Sequence, residues 1–142
     1  MSNGQVFGFL RAEGTRFVNG RGEPIRLRGA ALGNWMLLEG YMWGFMDKRA
    51  DRTRAIESLA AQLCGPDYAR AYFPRYREAF VTEGDIAQMA REGFNSVRLP
   101  LHWRCLMEEG PGVRFIEEGF RLVDRCLSWC EAHGLYAILD LH

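Results

Sequence analysis

The feature that most constrains this sequence is a pair of short apolar runs, each of which follows a helical segment with almost no linker. Residues 94–101 read Phe-Asn-Ser-Val-Arg-Leu-Pro-Leu directly after Gly93, and residues 135–142 read Leu-Tyr-Ala-Ile-Leu-Asp-Leu-His directly after Gly134. Glycine commonly ends helices, and such short linkers are typical of helix-to-strand units. With an earlier strand, the order strand, helices, strand, helix, strand predicts an α/β fold with a parallel sheet, either doubly wound or closed into a barrel.

The other elements are predicted from turn residues and from helical spacing. Turn signals within residues 5–24 predict a β-hairpin, and a further strand is expected over residues 25–32. The helix predicted after residue 81 has the clearest start, because Thr82 is a good N-cap with Asp85 three residues later. Apolar spacing predicts helices over residues 50–63, 68–80 with a kink or boundary at Pro74, 82–93 and 116–133. The charged residues of the first helix are interpreted as a solvated face: Arg49, Arg52, Arg54 and Glu57.

The composition indicates one globular domain over residues 1–142. Contents of 48% hydrophobic and 25% charged residues are typical of a folded soluble domain. Because 18 basic residues balance 18 acidic ones, no net field would concentrate nucleic acid or a membrane at the surface, and neither partner is expected. The start of the chain has no basic region followed by an apolar stretch, so no signal peptide is predicted and the chain as written is expected to be cytoplasmic.

The cysteines indicate no disulfide framework. Cys126, Cys130 and His133 have a spacing that would place them on one helix face, which leaves a metal site as an alternative. The preferred interpretation is packing, because free cysteine usually fills a core and the surrounding helix residues are largely apolar. We therefore expect reduced, buried thiols, no metal and no cofactor.

Polar side chains near the carboxyl ends of the predicted strands are the strongest functional signal. Arg98 lies in residues 94–101, while Asp140 and His142 share one face of the last strand because strand side chains alternate. Barrel and open α/β enzymes bind ligands at this edge of the sheet. The alternative is that Arg98 and Asp140 form a buried ion pair and that His142 is a surface residue at a strand end. Function is favoured, because an isolated buried charge is costly.

Aromatic side chains offer a second signal. The loop over residues 35–46 carries many large apolar residues, which fits a loop packed on a core and an aromatic binding surface equally well. Trp35, Trp43 and Trp103 each carry a large aromatic face that could contact a ligand. Packing is favoured for Trp35, which follows a strand end, and substrate binding for Trp103. His102 is expected to order its loop.

Five runs of the sequence, taken in chain order, carry a joint signal: Leu27-Arg-Gly-Ala-Ala-Leu-Gly-Asn-Trp, Glu39-Gly-Tyr-Met, Thr82-Glu-Gly-Asp-Ile, Gly93-Phe-Asn-Ser-Val-Arg-Leu-Pro-Leu and Leu139-Asp-Leu-His. In that order they resemble the first three strands of glycoside hydrolase family 5, and the Leu-Gly-Asn-Trp and Glu-Gly-Tyr-Met pieces look most like its branch of exo-β-1,3-glucanases. The resemblance implies a (β/α)₈ TIM barrel of which residues 25–142 supply the first three βα units, preceded by the hairpin. It also implies a retaining β-glycosidase that acts on a β-glucan or an oligosaccharide.

The resemblance also assigns roles to individual residues. Arg98 matches the arginine that hydrogen-bonds the nucleophile, His142 matches a histidine beside the sugar that is cleaved, and Glu39 matches an acidic residue that holds substrate hydroxyls. Trp35, Trp43 and Trp103 could each stack on a pyranose, since the C–H groups of a sugar suit an aromatic face. Trp35 and Trp103 complete the candidate substrate-binding set. Both catalytic glutamates are expected beyond His142, so the chain alone is expected to be inactive.

Two other functions stay open at this point: a catalytically inactive carbohydrate-binding or scaffold protein, and a TIM-barrel enzyme of other chemistry. Self-association is expected through open sheet edges. Such an open sheet is also expected to expose inward-facing apolar residues, namely Leu27, Val97, Leu99 and Ile138.

Overall fold

The computed structural model describes residues 6–45 and 50–142. The first residue of the predicted hairpin, Gln5, and two residues discussed above, Met46 and Arg49, lie outside these ranges. The strands are β1 (Arg11–Glu13), β2 (Arg16–Val18), β3 (Pro24–Ile25), β4 (Gly29–Ala31), β5 (Ser96–Leu101) and β6 (Tyr136–Leu141). The helices are α1 (Thr53–Cys64), α2 (Pro66–Phe80), α3 (Glu83–Arg91) and α4 (Glu117–Ala132), with 3₁₀ turns at Gly40–Trp43 and Trp103–Cys105.

The N-terminal strands form a small antiparallel sheet in the order β1-β2-β3. β1 and β2 are the two arms of the expected hairpin, with Arg11 opposite Val18 and a turn at Gly14. This sheet is joined to the far end of the chain by Tyr136, whose hydroxyl accepts a hydrogen bond from the Phe7 amide at 3.0 Å and donates one to the Phe7 carbonyl at 3.2 Å. The N-terminal segment therefore lies at the amino end of β6.

The second sheet is parallel, in the order β4-β5-β6, and this confirms the predicted α/β architecture. Ser96 is opposite both Gly29 of β4 and Tyr136 of β6, so the three strands are in register. Their carboxyl ends consequently meet at one edge. Helices α3 and α4 precede β5 and β6 respectively, as the short linkers predicted.

The strand predicted over residues 25–32 is wrong as a single element, because it is divided between the two sheets. Ile25 pairs antiparallel with Phe17, whereas Gly29–Ala31 pairs parallel with β5. The buried side chain of Asn95 bridges the break: its Oδ1 accepts from the Arg28 amide at 2.8 Å and its Nδ2 donates to the Arg26 carbonyl at 2.9 Å. A side-chain amide thus takes the place of a neighbouring strand over this stretch.

The helix starts follow local chemistry more closely than apolar spacing. The α3 cap is confirmed, since the Thr82 amide donates to Asp85 Oδ2 at 2.8 Å. Helix α1 begins at Thr53 rather than at residue 50, and α2 begins at Pro66. Helix α2 continues through Pro74, so the predicted boundary is absent there; Pro74 and Arg70 are both exposed, and water can bond the carbonyl that proline leaves without an amide partner.

The main core lies between the parallel sheet and helices α3 and α4. Val97 and Leu99 are fully buried in it together with Ile86 and Cys126, so the expectation that Val97 and Leu99 would be exposed is wrong. They point to the helix side of the sheet, and the open side carries Ile138, which is exposed. Leu27 is half-buried. A second apolar cluster packs α1 against α2 around Ile56 and Phe73.

Across the described ranges, none of the helices combines the length and the apolar character that crossing a membrane requires.

Candidate functional site

Three of the predicted polar side chains meet at the carboxyl edge of the parallel sheet. Arg98 of β5 forms an ion pair with Asp140 of β6. The Nε2 atom of His142 is 3.1 Å from Asp140 Oδ2 and 3.3 Å from Arg98 Nη2. The ion pair of the alternative interpretation is therefore present. It is not buried, however, because the side chains of Arg98, Asp140 and His142 are 44%, 36% and 41% exposed.

The Asp140 carboxylate of this cluster is held in its charged form. The hydrogen bond with His142, and then that from Arg98, keeps the pKa of the Asp140 carboxyl below its usual value. The carboxylate thus stays ionised as the pH falls and continues to orient both of its partners. The consequence is a fixed guanidinium and a fixed imidazole at the open end of the sheet.

A cleft with a volume of about 500 Å³ opens beside this cluster. Its lining includes Glu39, Trp103 and His142, which are three of the predicted site residues and which come from three separate parts of the chain. His102 also lines it. Arg98 is not part of the lining, and it reaches the cleft through its contact with His142. Pockets of this size commonly hold small ligands.

Glu39 is placed by the loop that follows β4. Its backbone forms an antiparallel bridge with Arg52, and the amide of Gly40 donates to the Asp51 carbonyl at 3.1 Å. The loop therefore runs against the start of α1. This holds the half-buried Glu39 on one wall of the cleft.

His102 and Trp103 form another wall. Their rings stack with centroids 5.9 Å apart and planes inclined by 25°. The Trp103 amide donates to the His142 carbonyl at 3.3 Å, which ties this turn to the end of β6. His102 Nδ1 accepts from the Arg104 amide at 3.3 Å, so His102 orders the turn as predicted. Burial lowers the pKa of His102, which favours the neutral ring.

The prediction that Trp35 binds the substrate is wrong. Its side chain is 0% exposed, and its Nε1 donates to the Arg77 carbonyl of α2 at 2.8 Å. Packing was the favoured interpretation, and the structure agrees because Trp35 turns from the end of β4 into the core.

Trp43 also lies away from the cleft. It contacts Phe45 and Tyr76 on the side of α1 and α2, with ring centroids 6.4 and 5.5 Å away. The loop is therefore packed over part of its length, although Tyr41 and Met42 are exposed.

An ion-pair network behind the Trp103 turn is not indicated by any local pattern in the sequence. Arg104 Nη1 is 2.8 Å from Glu57 Oε2, and Arg77 Nη2 is 3.3 Å from Glu57 Oε1. Glu57 and Arg104 are mostly buried, so the interpretation of Glu57 as part of a solvated face is wrong. The partners of Glu57 are 20 and 47 residues away, which no local pattern reveals. The network joins α1, α2 and the turn that carries Trp103.

We expect Glu57→Gln to lower the free energy of unfolding by about 1–2 kcal/mol in the full-length protein. The change leaves Arg77 and Arg104 largely buried without their carboxylate, a loss smaller than that of a fully buried pair because the site is partly solvated. Urea denaturation measures it. Glu108→Gln is the matched control, because Glu108 pairs with Arg114 at an exposed site and should cost well under half as much. Equal effects of the two changes would contradict the structural role of Glu57.

The cysteines support packing rather than a metal site. Cys126 and Cys130 are buried in the main core, and His133 lies 3.3 Å from Glu83 instead of turning toward them. Over residues 6–45 and 50–142, no group of three or more metal-binding side chains comes together. Cys105 is buried and donates to the Met36 carbonyl, whereas Cys64 at the end of α1 is exposed, so the expectation of a buried thiol is wrong there.

Comparison with known proteins extends these observations. Residues 58–142, more than half of the chain, match the family model described as Cellulase (glycosyl hydrolase family 5). A "Beta-xylosidase" of Phanerodontia chrysosporium is 33% identical over 94% of this chain, and a "Glucan 1,3-beta-glucosidase" of Candida oleophila is 31% identical over 82% of it. The chain spans only 27% and 29% of these two relatives.

A solved structure gives a matching result for the fold. The crystal structure of AoRut superposes with a TM-score of 0.61 at 21% identity, and the match covers 82% of this chain and 32% of that one. At this level of identity the likeness concerns the fold alone.

Proposed function

This chain belongs to glycoside hydrolase family 5, and we propose that it is the first part of a (β/α)₈-barrel enzyme that hydrolyses β-glycosidic bonds with retention of configuration. The observation that carries the proposal is the cleft at the carboxyl edge of the parallel sheet, where Glu39, Trp103 and His142 come together. Barrel enzymes bind their substrates at this edge. Its volume of about 500 Å³ is sufficient for one or two sugar units.

Each residue of the site has a role that its chemistry supports. Arg98 presents a planar guanidinium that lowers the pKa of a neighbouring carboxylate and keeps it ionised for attack. His142 and Glu39 supply a hydrogen-bonding imidazole and carboxylate for sugar hydroxyls. Trp103 supplies an aromatic face for the C–H groups of a pyranose.

The acid/base and nucleophile glutamates of the proposed reaction come from barrel strands outside this chain. This part of the proposal is supported by the length of the relatives, because the chain spans less than a third of each and the rest of the barrel lies outside it. Retention requires the two carboxyl groups to lie about 5–5.5 Å apart across the sugar. In this arrangement Arg98, beside Asp140 at the sheet edge, would be shared with the nucleophile.

The proposed substrate is a β-glucan, or an oligosaccharide or β-xyloside of similar shape. The names of the relatives support this class, since some are called glucan 1,3-beta-glucosidases and another a beta-xylosidase. Family membership argues against a barrel enzyme of unrelated chemistry. An inactive carbohydrate-binding protein is the second candidate, and it is distinguished by the assay below.

We expect the full-length protein to hydrolyse an aryl β-glucoside or aryl β-xyloside and to release the β-anomer of the sugar first. Proton NMR of the reaction within its first minutes identifies the anomer, because retention proceeds through two displacements. The purified 142-residue chain is the matched control and should show no turnover, because a catalytic unit without its carboxylates keeps only residual rate. Release of the α-anomer first would rule out retention. Binding of laminarin without hydrolysis by the full-length protein would instead support the inactive binder.

A further inference from the structure

One residue in the loop after β4 adopts a backbone conformation that most residues avoid. Asn34 has a φ of 63°, the only positive value at a non-glycine residue among residues 6–45 and 50–142. It is also buried. Asparagine tolerates the left-handed region better than most side chains do, and strained backbone often marks a functional site. The conformation therefore requires an explanation from the contacts of Asn34.

The side chain of Asn34 joins three parts of the structure. Its Oδ1 accepts from the Glu39 amide at 3.2 Å and from Trp43 Nε1 at 2.6 Å. Its Nδ2 donates to the Tyr76 hydroxyl at 3.3 Å, and that hydroxyl donates to the Asn34 carbonyl at 2.6 Å. The loop is thereby folded back on itself and fastened to α2.

The hydrogen bonds between Tyr76 and Asn34 persist over a wide pH range. Burial, with a smaller contribution from Tyr72, raises the pKa of Tyr76 to about 12. The hydroxyl thus keeps its proton and its role as donor to the Asn34 carbonyl.

The residues on both sides of Glu39 are fixed as well. The Leu38 amide donates to Thr53 Oγ1 at 3.1 Å, and that hydroxyl donates back to the Leu38 carbonyl at 3.1 Å. At Gly40, a Cβ atom would collide with the Ala50 carbonyl oxygen, so only glycine allows this approach of the backbone to the start of α1. The Glu39 backbone is consequently restrained before, at and after the residue, and Asn34 supplies the restraint at Glu39 itself.

We propose that Asn34 is a positioning residue that sets the place of the Glu39 carboxylate in the cleft. The inference rests on the proposed function, in which Glu39 binds hydroxyls of the substrate. Asn34 does not line the cleft. Its effect on substrate therefore passes through the Glu39 backbone.

Substitutions at Asn34 can separate backbone strain from hydrogen bonding. Asn34→Gly permits the same φ but removes every side-chain hydrogen bond. Asn34→Asp also tolerates this φ and keeps the oxygen that accepts from Glu39 and Trp43, although it loses the donation to Tyr76. If the position of Glu39 depends on the side-chain oxygen at residue 34, Asn34→Asp should preserve the catalytic activity that Asn34→Gly loses.

The test uses steady-state kinetics of the full-length protein on the aryl β-glycoside that it hydrolyses best. We expect Asn34→Gly to lower kcat/KM on the order of 10²-fold, as a misplaced binding group does, and Asn34→Asp to restore most of the loss. We also expect Asn34→Gly to add less than about a threefold loss when Glu39 is already Gln, because two changes that act through one contact are not additive. A general loss of structure would instead lower kcat/KM equally in both backgrounds.

The outcomes separate the two proposals. If the wild-type protein hydrolyses none of the aryl β-glycosides, the proposed function fails. If Glu39→Gln impairs the enzyme but Asn34→Gly equals the wild type or is additive with Glu39→Gln, the positioning role of Asn34 is overturned. Should Asn34→Gly fail to fold, Tyr76→Phe takes its place, since it removes both hydrogen bonds between Tyr76 and Asn34. A partial loss of kcat/KM in Tyr76→Phe that disappears in the Glu39→Gln background supports the positioning role of Asn34. Wild-type kinetics of Tyr76→Phe overturns it.

Discussion

Replacing Arg98 with lysine in the full-length protein is expected to lower kcat on the order of 10²-fold or more, with a much smaller change in substrate affinity. The reason lies in the shape of the guanidinium. Arg98 reaches Asp140 and His142 with one terminal nitrogen, which leaves the rest of the planar group to orient a further carboxylate. Lysine keeps the charge but offers a single point of contact. Steady-state kinetics on an aryl β-glycoside measure kcat and KM separately.

The matched control for this substitution is Arg70→Lys. Arg70 lies on α2 with a side chain that is 78% exposed, and it pairs with Asp67 on the same helix. Its replacement should leave kcat unchanged, because exposed pairs contribute little. An Arg98→Lys enzyme within about twofold of wild type would show that Arg98 serves the ion pair with Asp140 and not the reaction.

The second large effect concerns the purified 142-residue chain, which is expected to associate or to remain a loosely packed compact state. Within the described part of the chain, β4 and β6 are the edges of the parallel sheet. Leu139 and Leu141 of β6 are 54% and 67% exposed, and Ile138 is exposed beside them. Unpaired strand edges with apolar side chains template association. Size-exclusion chromatography with light scattering measures the mass, and near-UV circular dichroism reports the packing of the tryptophans.

A paired variant tests whether β6 is the surface responsible. Leu139→Lys combined with Leu141→Lys should shift the chain toward monomer, since lysine on an edge strand opposes pairing. Lysines placed at two exposed alanines of α2, Ala71 and Ala79, add the same charge away from the sheet edge and should leave the mass distribution as it was. A monodisperse wild-type monomer with a strong near-UV signal and a cooperative melt would show that the chain has a self-sufficient fold.

The parts of this structure that sequence could predict are those with a local cause. The α3 cap depends on two residues three positions apart, Thr82 and Asp85. The meeting of Arg98, Asp140 and His142 follows from the alternation of side chains in parallel strands. The cap needs only neighbouring residues, and the strand cluster, whose members are up to 44 positions apart, needs only the alternation within each strand and the parallel order of the strands.

The parts that could not be predicted depend on the choice of distant partners. Asn95 divides a predicted strand through bonds to residues 67 and 69 positions away. Asn34 meets Tyr76 across 42 positions, and Glu57 meets Arg104 across 47. In each case a polar side chain satisfies a group elsewhere in the fold, and its own sequence neighbourhood looks like an ordinary loop, strand or solvated helix. The hydrogen-bond partner of Trp35 could not be predicted for the same reason, because the Arg77 carbonyl that accepts from its indole lies 42 positions away on α2.

The bond between Tyr136 and Phe7 has a consequence for the order of events during synthesis. The two residues are 129 positions apart, so the segment around Phe7 leaves the ribosome well before its partner is synthesised. The hairpin can form by itself, because its pairs are neighbours in the chain. Its attachment to β6 is a late step, and the loop that this contact closes makes it a slow one. A nascent chain arrested before residue 136 should therefore exchange the Phe7 amide hydrogen quickly, whereas a chain that includes β6 should exchange it more slowly, because the Tyr136 hydroxyl accepts that amide.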